Sequence, residues 1–299
     1  MLLTRPDGDR IPGLAPIRVL MPHVMPTRNG SAVYYEHVLD LTRTLPWLQA
    51  QAAQGRKVTL FHLVLASFVR VMATRPQMHR FVVGRRMYQR KHIEVAFAVK
   101  KAMRDDAIMT AVKIRFQPTD DLDAIIRRVD EAIGTGRGSV PTQSEKEMHW
   151  TAWLPSPVLA AILWLQRLLD ACNLLPAAMI DGDPLYASGF LANMGSIGLP
   201  AVWHHLYEYG TVPLFGAIGK VEKAALVLDD GTLAVRETMR IRWTFDERTT
   251  DGLYCTRSLD ILKAGIENPE SWSQQPAQVP VHEPVVLPVP IAASSVEAN

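Results

Sequence analysis

From Leu233 to Phe245 apolar and polar residues alternate. Leu233, Val235, Glu237, Met239, Ile241, Trp243 and Phe245 fall on one side and Ala234, Arg236, Thr238, Arg240, Arg242 and Thr244 on the other. That period of two predicts a half-buried strand, and continuing the parity turns Glu247 inward. Beyond a short acidic turn, Leu259, Leu262 and Ile266 recur at helical spacing until Asn268-Pro269 ends the segment. A strand, a tight turn with two carboxylates four residues apart (Glu247 and Asp251) and a helix together mark the first candidate site.

Upstream, the spacing of Tyr34, Val38, Leu41 and Leu45 predicts an amphipathic helix, and Phe61, Val64, Leu65, Phe68, Val69 and Met72 predict a second one, apolar nearly all round and therefore central. Ile93, Val95, Phe97 and Val99, then Ile108, Thr110, Val112, Ile114 and Phe116, read as a hairpin turning at Met103 to Asp106. Leu122 to Ile133 reads as a helix opened by Thr119-Asp120-Asp121. Trp153 to Ile180 is the most apolar passage, but Gln166, Arg167 and Asp170 interrupt it short of the roughly 20 apolar residues of a membrane crossing. It is expected to pack on the core or on another subunit, with a lid over an acyl chain or a membrane-surface helix as the other readings. Tyr186 to Gly198 reads as a short strand running into a loop punctuated by glycine, and Leu214 to Val221 as a further strand.

The 299 residues, 48% hydrophobic, leave ample material for one packed domain. With 32 basic and 30 acidic side chains, the charge gives no case for a nucleic-acid partner, and Arg85-Arg86 and Arg90-Lys91 read as solvated strand ends. Two differently placed cysteines, Cys172 and Cys255, make neither a disulfide framework nor a metal site, and no His, Cys or carboxylate set shows ligand spacing. A cytoplasmic location without a secretory signal is expected. Residues 1–16 read as an N-terminal arm and 271–299 as a Pro-rich tail, both without regular structure.

Asp246-Glu247-Arg248-Thr249-Thr250-Asp251-Gly252, followed by Glu267-Asn268-Pro269-Glu270, resembles the Asp-His-Arg-x-x-Asp-Gly and Glu-Asn-Pro-Glu motifs of the acyltransferase core (E2) of 2-oxoacid dehydrogenase complexes and of the related chloramphenicol acetyltransferase. Tyr186 to Gly198, aligned on Asn193 and Gly195, is similar to that family's Phe-Thr-Ile-Ser-Asn-Leu-Gly segment. The resemblance covers residues 17–270, most closely stand-alone E2-like proteins, and implies an α/β two-layer sandwich with a mixed sheet of the chloramphenicol acetyltransferase type. It further implies a homotrimer or larger cage, other dehydrogenase-complex subunits as possible partners, and a coenzyme A thioester as substrate. No lipoyl domain is expected before the core. Two positions depart from the family: Glu247 stands where it has the catalytic histidine, and Ala192 where a serine donates to the oxyanion.

A thiol near pKa 8.5 passes its proton to a histidine near 6.5 at a cost of about 2.7 kcal/mol, and to an unperturbed glutamate near 4.3 at about 6 kcal/mol. Burial of Glu247 beside Asp251 is the expected means of making a better base, and the alternative is a purely structural turn neutralised by Arg248. His204 and His205 offer another base near the implied thioester site, against a reading in which they only cap or pack. Asn193 is a candidate oxyanion donor or a turn former. The sequence therefore supports two functions: a thioester-dependent acyltransferase, or a catalytically silent E2-like scaffold.

Overall fold

A computed structural model describes residues 5–100, 109–137, 153–228 and 230–273. Six strands, β2 (Ala32–Asp40), β5 (Ile93–Lys100), β6 (Met109–Phe116), β7 (Gly189–Asn193), β8 (Leu214–Val227) and β9 (Leu233–Asp246), form one mixed sheet in the order β2-β9-β8-β7-β5-β6. The β8–β7 and β7–β5 pairs are parallel and the rest antiparallel. Helices α3 (Leu60–Thr74), α4 (Leu122–Arg137) and α7 (Gly252–Glu267) lie against one face, giving the two-layer α/β sandwich that the resemblance implied. A small sheet, β1 (Gly8–Arg10), β4 (Arg86–Arg90) and β3 (Arg80–Val83), stands beside it. The turn between β3 and β4 has positive φ at Gly84 (56°) and Arg85 (61°), as a tight hairpin of this hand requires.

Helix α3 is buried along most of its length because its sequence offers no polar face, and Thr59 and His62 cap it reciprocally through two 3.2 Å hydrogen bonds. Phe68 of α3 stacks on Trp243 of β9 at 6.4 Å. Backbone without Cβ makes room for both rings. A Cβ at Gly189 would stand 2.3 Å from Phe68, and one at Gly216 would stand 2.5 Å from Trp243. The predicted helix of Leu122 to Ile133 is α4, and the amide of Ala124 donates to Asp121 at its start (2.8 Å).

Three expectations are corrected. The helix expected from Tyr34 is strand β2, paired with β9 from Ala32↔Asp246 to Asp40↔Thr238; helix α2 (Thr44–Ala53) begins only afterwards. Within the N-terminal arm, residues 5–15 are not loose. Arg5 pairs with Asp7 (2.8 Å) and with Asp170 (2.7 Å), Asp7 also pairs with Arg90 (3.2 Å), and Gly8 to Arg10 pair with β4. Burial opposes charge on Asp7, yet the guanidinium groups of Arg90 and Arg5 hold its carboxyl below the ordinary range. Arg90 is accordingly buried rather than a solvated strand end, while Arg85 is exposed.

The apolar passage does not pack on the core along most of its length. It forms α5 (Ser156–Ala171) and α6 (Ala177–Gly182), but only the C-terminal end of α5 packs on the body, and Val158 to Leu165 are exposed apart from half-buried Leu159. Residues 274–299, most of the expected tail, and the hairpin turn at Met103 to Asp106 lie outside the described residues; Pro269–Ser273 form a 3-10 turn in which Trp272 donates to the Gly265 carbonyl (2.8 Å).

Candidate active site

The acidic turn is built around Asp246, at the end of β9. Its side chain is 1% exposed and takes two charge-assisted hydrogen bonds from Arg248 (2.8 and 2.7 Å), one from the Arg248 amide (3.1 Å) and one from the Ser31 hydroxyl (3.1 Å). Arg28 adds a second cation at 3.8 Å. A buried carboxylate left without such partners would be costly, so this arrangement fixes the path of the turn. Thr249 closes it, its amide donating to the Asp246 carbonyl (3.0 Å) and its hydroxyl to the same oxygen (2.8 Å).

Glu247 is held at both ends of its own backbone. Its amide donates to the Ser31 carbonyl (2.9 Å), and its carbonyl accepts from Arg18 (3.1 Å) on α1 (Pro16–Val24). Its half-buried carboxylate has no hydrogen-bond partner among the described residues. Asp251, expected beside it, is engaged by other groups. Asp251 accepts from the Tyr254 amide (2.8 Å), capping α7, and pairs with Arg18 at 3.2 Å from a half-exposed position. Arg248, expected to neutralise this cluster, serves Asp246 instead.

Two further groups lie apart from the turn. Residues 203–210 run over the sheet face opposite the helices, where His204 stacks on Phe215 at 3.9 Å and its carbonyl accepts from Thr244, three residues before Glu247 (2.6 Å). The Nδ1 of His204 lies 2.7 Å from the His205 carbonyl, which can only accept, so the proton sits there and Nε2 carries the lone pair. Burial lowers the His204 pKa, partly offset by that hydrogen bond, and favours the neutral, base-competent ring. His205 is exposed and stacks on His204. This segment is fastened to the turn through Glu208, whose carboxylate accepts from the amides of Arg28 (3.0 Å) and Asn29 (2.8 Å).

Ala192 and Asn193 end β7 on opposite faces of the sheet. Ala192 packs on the side of Phe190, Phe215 and Ala217, where it has no donor to offer. Asn193 lines a cavity of about 380 Å³ with Ser196, Lys220, His62 and Asp130, and its side chain caps the following 3-10 turn, accepting from Ser196 N (3.1 Å). Asn193 is level with Ile218 and hence with Ile241, whereas Glu247 lies beyond Phe245. From position 241 to 247 at about 3.3 Å per residue, the two are separated by about 20 Å along the sheet. One chain therefore does not bring Glu247 and Asn193 to the same atom.

The residues not identified from the sequence are Arg18, Arg28, Ser31 and Glu208. All act through partners distant in the chain; Arg18 and Asp251 are 233 positions apart, a separation that no local spacing reports. Neither cavity beside the turn is lined by Glu247: one of about 560 Å³ includes Arg18, and one of about 200 Å³ includes Arg28 and Arg248. Among the described residues no three His, Cys, Asp or Glu are placed to hold a metal ion.

Residues 191–273, from β7 to the last 3-10 turn, match the family model described as 2-oxoacid dehydrogenases acyltransferase (catalytic domain). No curated protein matches the chain. Similar solved structures include a probable dihydrolipoamide acetyltransferase from Listeria monocytogenes 4b F2365, with 14% identity, 91% of this chain and 98% of that chain covered, and a TM-score of 0.58. The cubic core of the pyruvate dehydrogenase multienzyme complex matches at 16% identity, 86% and 89% coverage and TM-score 0.52. A chloramphenicol acetyltransferase matches at 13% identity, 87% and 98% coverage and TM-score 0.50. The resemblance seen in the motifs thus extends to the fold, which is of the chloramphenicol acetyltransferase type shared by these acyltransferase cores.

Proposed function

We propose that this chain is an acyltransferase of the 2-oxoacid dehydrogenase E2 type, moving an acyl group between a coenzyme A thioester and an acceptor nucleophile at a site completed between protomers of a trimer. The observation that carries this reading is the uncommitted carboxylate of Glu247 in a turn where Asp246, Arg248 and Asp251 are all engaged. A side chain kept only for structure would be expected to share in those contacts. Positioned by Ser31 and Arg18, Glu247 removes the acceptor's proton as the acceptor attacks the thioester carbonyl carbon. Negative charge gathers on the carbonyl oxygen, held by the Asn193 amide or a backbone N–H, and collapse of the intermediate expels the coenzyme A thiolate, which takes the proton back from Glu247.

The separation of about 20 Å between Glu247 and Asn193 favours a site shared by two chains. So does the far end of the β8–β9 hairpin, where Val227, Leu233 and Val235 are more than 70% exposed, an apolar surface that another copy would cover. His204 is the second candidate base, with its free Nε2. Free cysteines at positions 172 and 255 are in keeping with a cytoplasmic location.

One observation favours the scaffold reading: Ala192, at the family's serine position, lacks any donor. Purified protein with a panel of acyl-CoAs and thiol, amine or alcohol acceptors separates the two. Acyl transfer predicts release of coenzyme A that falls in Glu247→Gln. A scaffold predicts no release, no calorimetric signal with coenzyme A or acetyl-CoA, and an oligomer with a stable protein partner.

A further inference from the structure

Eight consecutive apolar residues, Val158-Leu159-Ala160-Ala161-Ile162-Leu163-Trp164-Leu165, fill the first turns of α5 before Gln166 and Arg167. A helix apolar on every side is normally enclosed, but here Trp164 is 66% and Leu165 49% exposed. The helix is held at its other end, where Asp170 pairs with buried Arg5 and Leu169 joins the cluster of Leu175, Ile180 and Tyr186. Its apolar stretch rises about 12 Å, less than half of a bilayer's hydrocarbon core of about 30 Å, and no described helix is long and apolar enough to cross a membrane.

Helix α1 repeats the inversion. Arg18 turns toward the acidic turn, while Ile17, Leu20 and Val24 are exposed on the outer side. Between the two helices sits the β3–β4 turn. The cavity of about 560 Å³ joins α1 to that turn through Arg10, Val19 and Arg85, and the neighbouring one of about 200 Å³ joins Pro22 and Arg85 to Arg167 and Ala171 of α5. Arg10, Arg85 and Arg167 are exposed, and no carboxylate among the described residues pairs with them.

We infer that this face docks on a membrane surface containing anionic phospholipid, the apolar end of α5 and the outer stripe of α1 entering the boundary between headgroups and acyl chains while Arg10, Arg85 and Arg167 meet phosphates. Charge decides the occupant: unpaired arginines at the base of an apolar projection match a layer whose outer shell is anionic and whose interior is apolar. The inference is independent of the acyl-transfer reading.

Sedimentation of the full chain with vesicles of phosphatidylcholine, alone or mixed with phosphatidylglycerol, tests it. Binding to the mixed vesicles is expected. Trp164→Glu and Ile162→Glu, exposed positions whose exchange leaves the melting temperature unchanged, lower it by at least about tenfold. Arg85→Gln and Arg167→Gln each lower binding to the mixed vesicles about fivefold, equivalent to about 1 kcal/mol, without changing binding to phosphatidylcholine. Failure of the wild type to sediment with either vesicle overturns the inference, as does vesicle binding unaffected by Trp164→Glu. Dissociation of an oligomer by Ile162→Glu in light scattering, with no vesicle binding by the wild type, assigns the face to a second copy and also overturns it.

Discussion

Strand β9 presents two unlike faces. Toward the helices, Met239, Ile241, Trp243 and Phe245 are sealed in the core beneath α3 and α7, and each large apolar side chain so buried stabilises the fold by about 1.5–3 kcal/mol. On the other face Arg240 and Arg242 meet Glu36 at 3.2 and 2.6 Å, Thr244 meets the His204 carbonyl, and Asp246 meets Arg248. The first face holds through contact area and tolerates no loose fit. The second holds through directional contacts, and Asp246 is its exception, since it is as deeply buried as the core residues. The strand ends where Glu247, next on the parity of the first face, carries a half-buried carboxylate with no hydrogen-bond partner among the described residues.

Arg248→Ala tests that exception and has the largest expected effect. It removes the two closest cationic hydrogen bonds of a buried carboxylate, leaving Arg28 at 3.8 Å and the Ser31 hydroxyl, and is expected to lower unfolding free energy by about 3–5 kcal/mol in denaturant titrations. A loss below about 1 kcal/mol would show that the polar face contributes little. Gly216→Ala probes the dry face: the added Cβ would meet Trp243 at 2.5 Å and Leu191 at 2.8 Å, for an expected loss of about 1–3 kcal/mol.

Acid adds a third, pH-dependent effect from outside the strand. His79, buried and flanked by Arg90 and Arg80, has its pKa pushed down to about 3, foremost by burial. The unfolded chain takes up that proton from about pH 6.5 downward and the folded chain does not, so stability is full above 6.5 and falls as pH drops from there toward 3. The slope is about 1.4 kcal/mol per unit, and in His79→Gln it flattens in melts across that window. The smallest effect is expected from Arg240→Ala, whose partly exposed pairs with Glu36 and Glu222 contribute less than about 1 kcal/mol.

How much the sequence disclosed follows the same division. Alternation in Met239 to Phe245 and the apolar run of α3 were readable because burial under helices imposes a period. The misread helix at Tyr34 shows the limit: Tyr34 and Val38 are four apart, which is helical spacing but also an even number, so both stay on one side of strand β2. The N-terminal arm was missed for another reason, since what it buries is Arg5 and Asp7 rather than apolar side chains. At the site, Glu247 and Asp251 were found from their motif, but their partners were assigned wrongly. Arg18 rather than Arg248 pairs with Asp251, and a contact between residues so distant in the chain leaves no trace in local order.

The central claim is that Glu247 of one protomer and Asn193 of another serve the same reaction. Glu247→Gln and Asn193→Ala proteins are each expected to release coenzyme A at least about 100-fold more slowly than wild type. Co-expressed at equal amounts, they should regain about a quarter of wild-type activity, because random mixing around a closed ring leaves that share of interfaces with both native residues. A mixture as inactive as its components, or a Glu247→Gln protein as fast as wild type, would contradict the account.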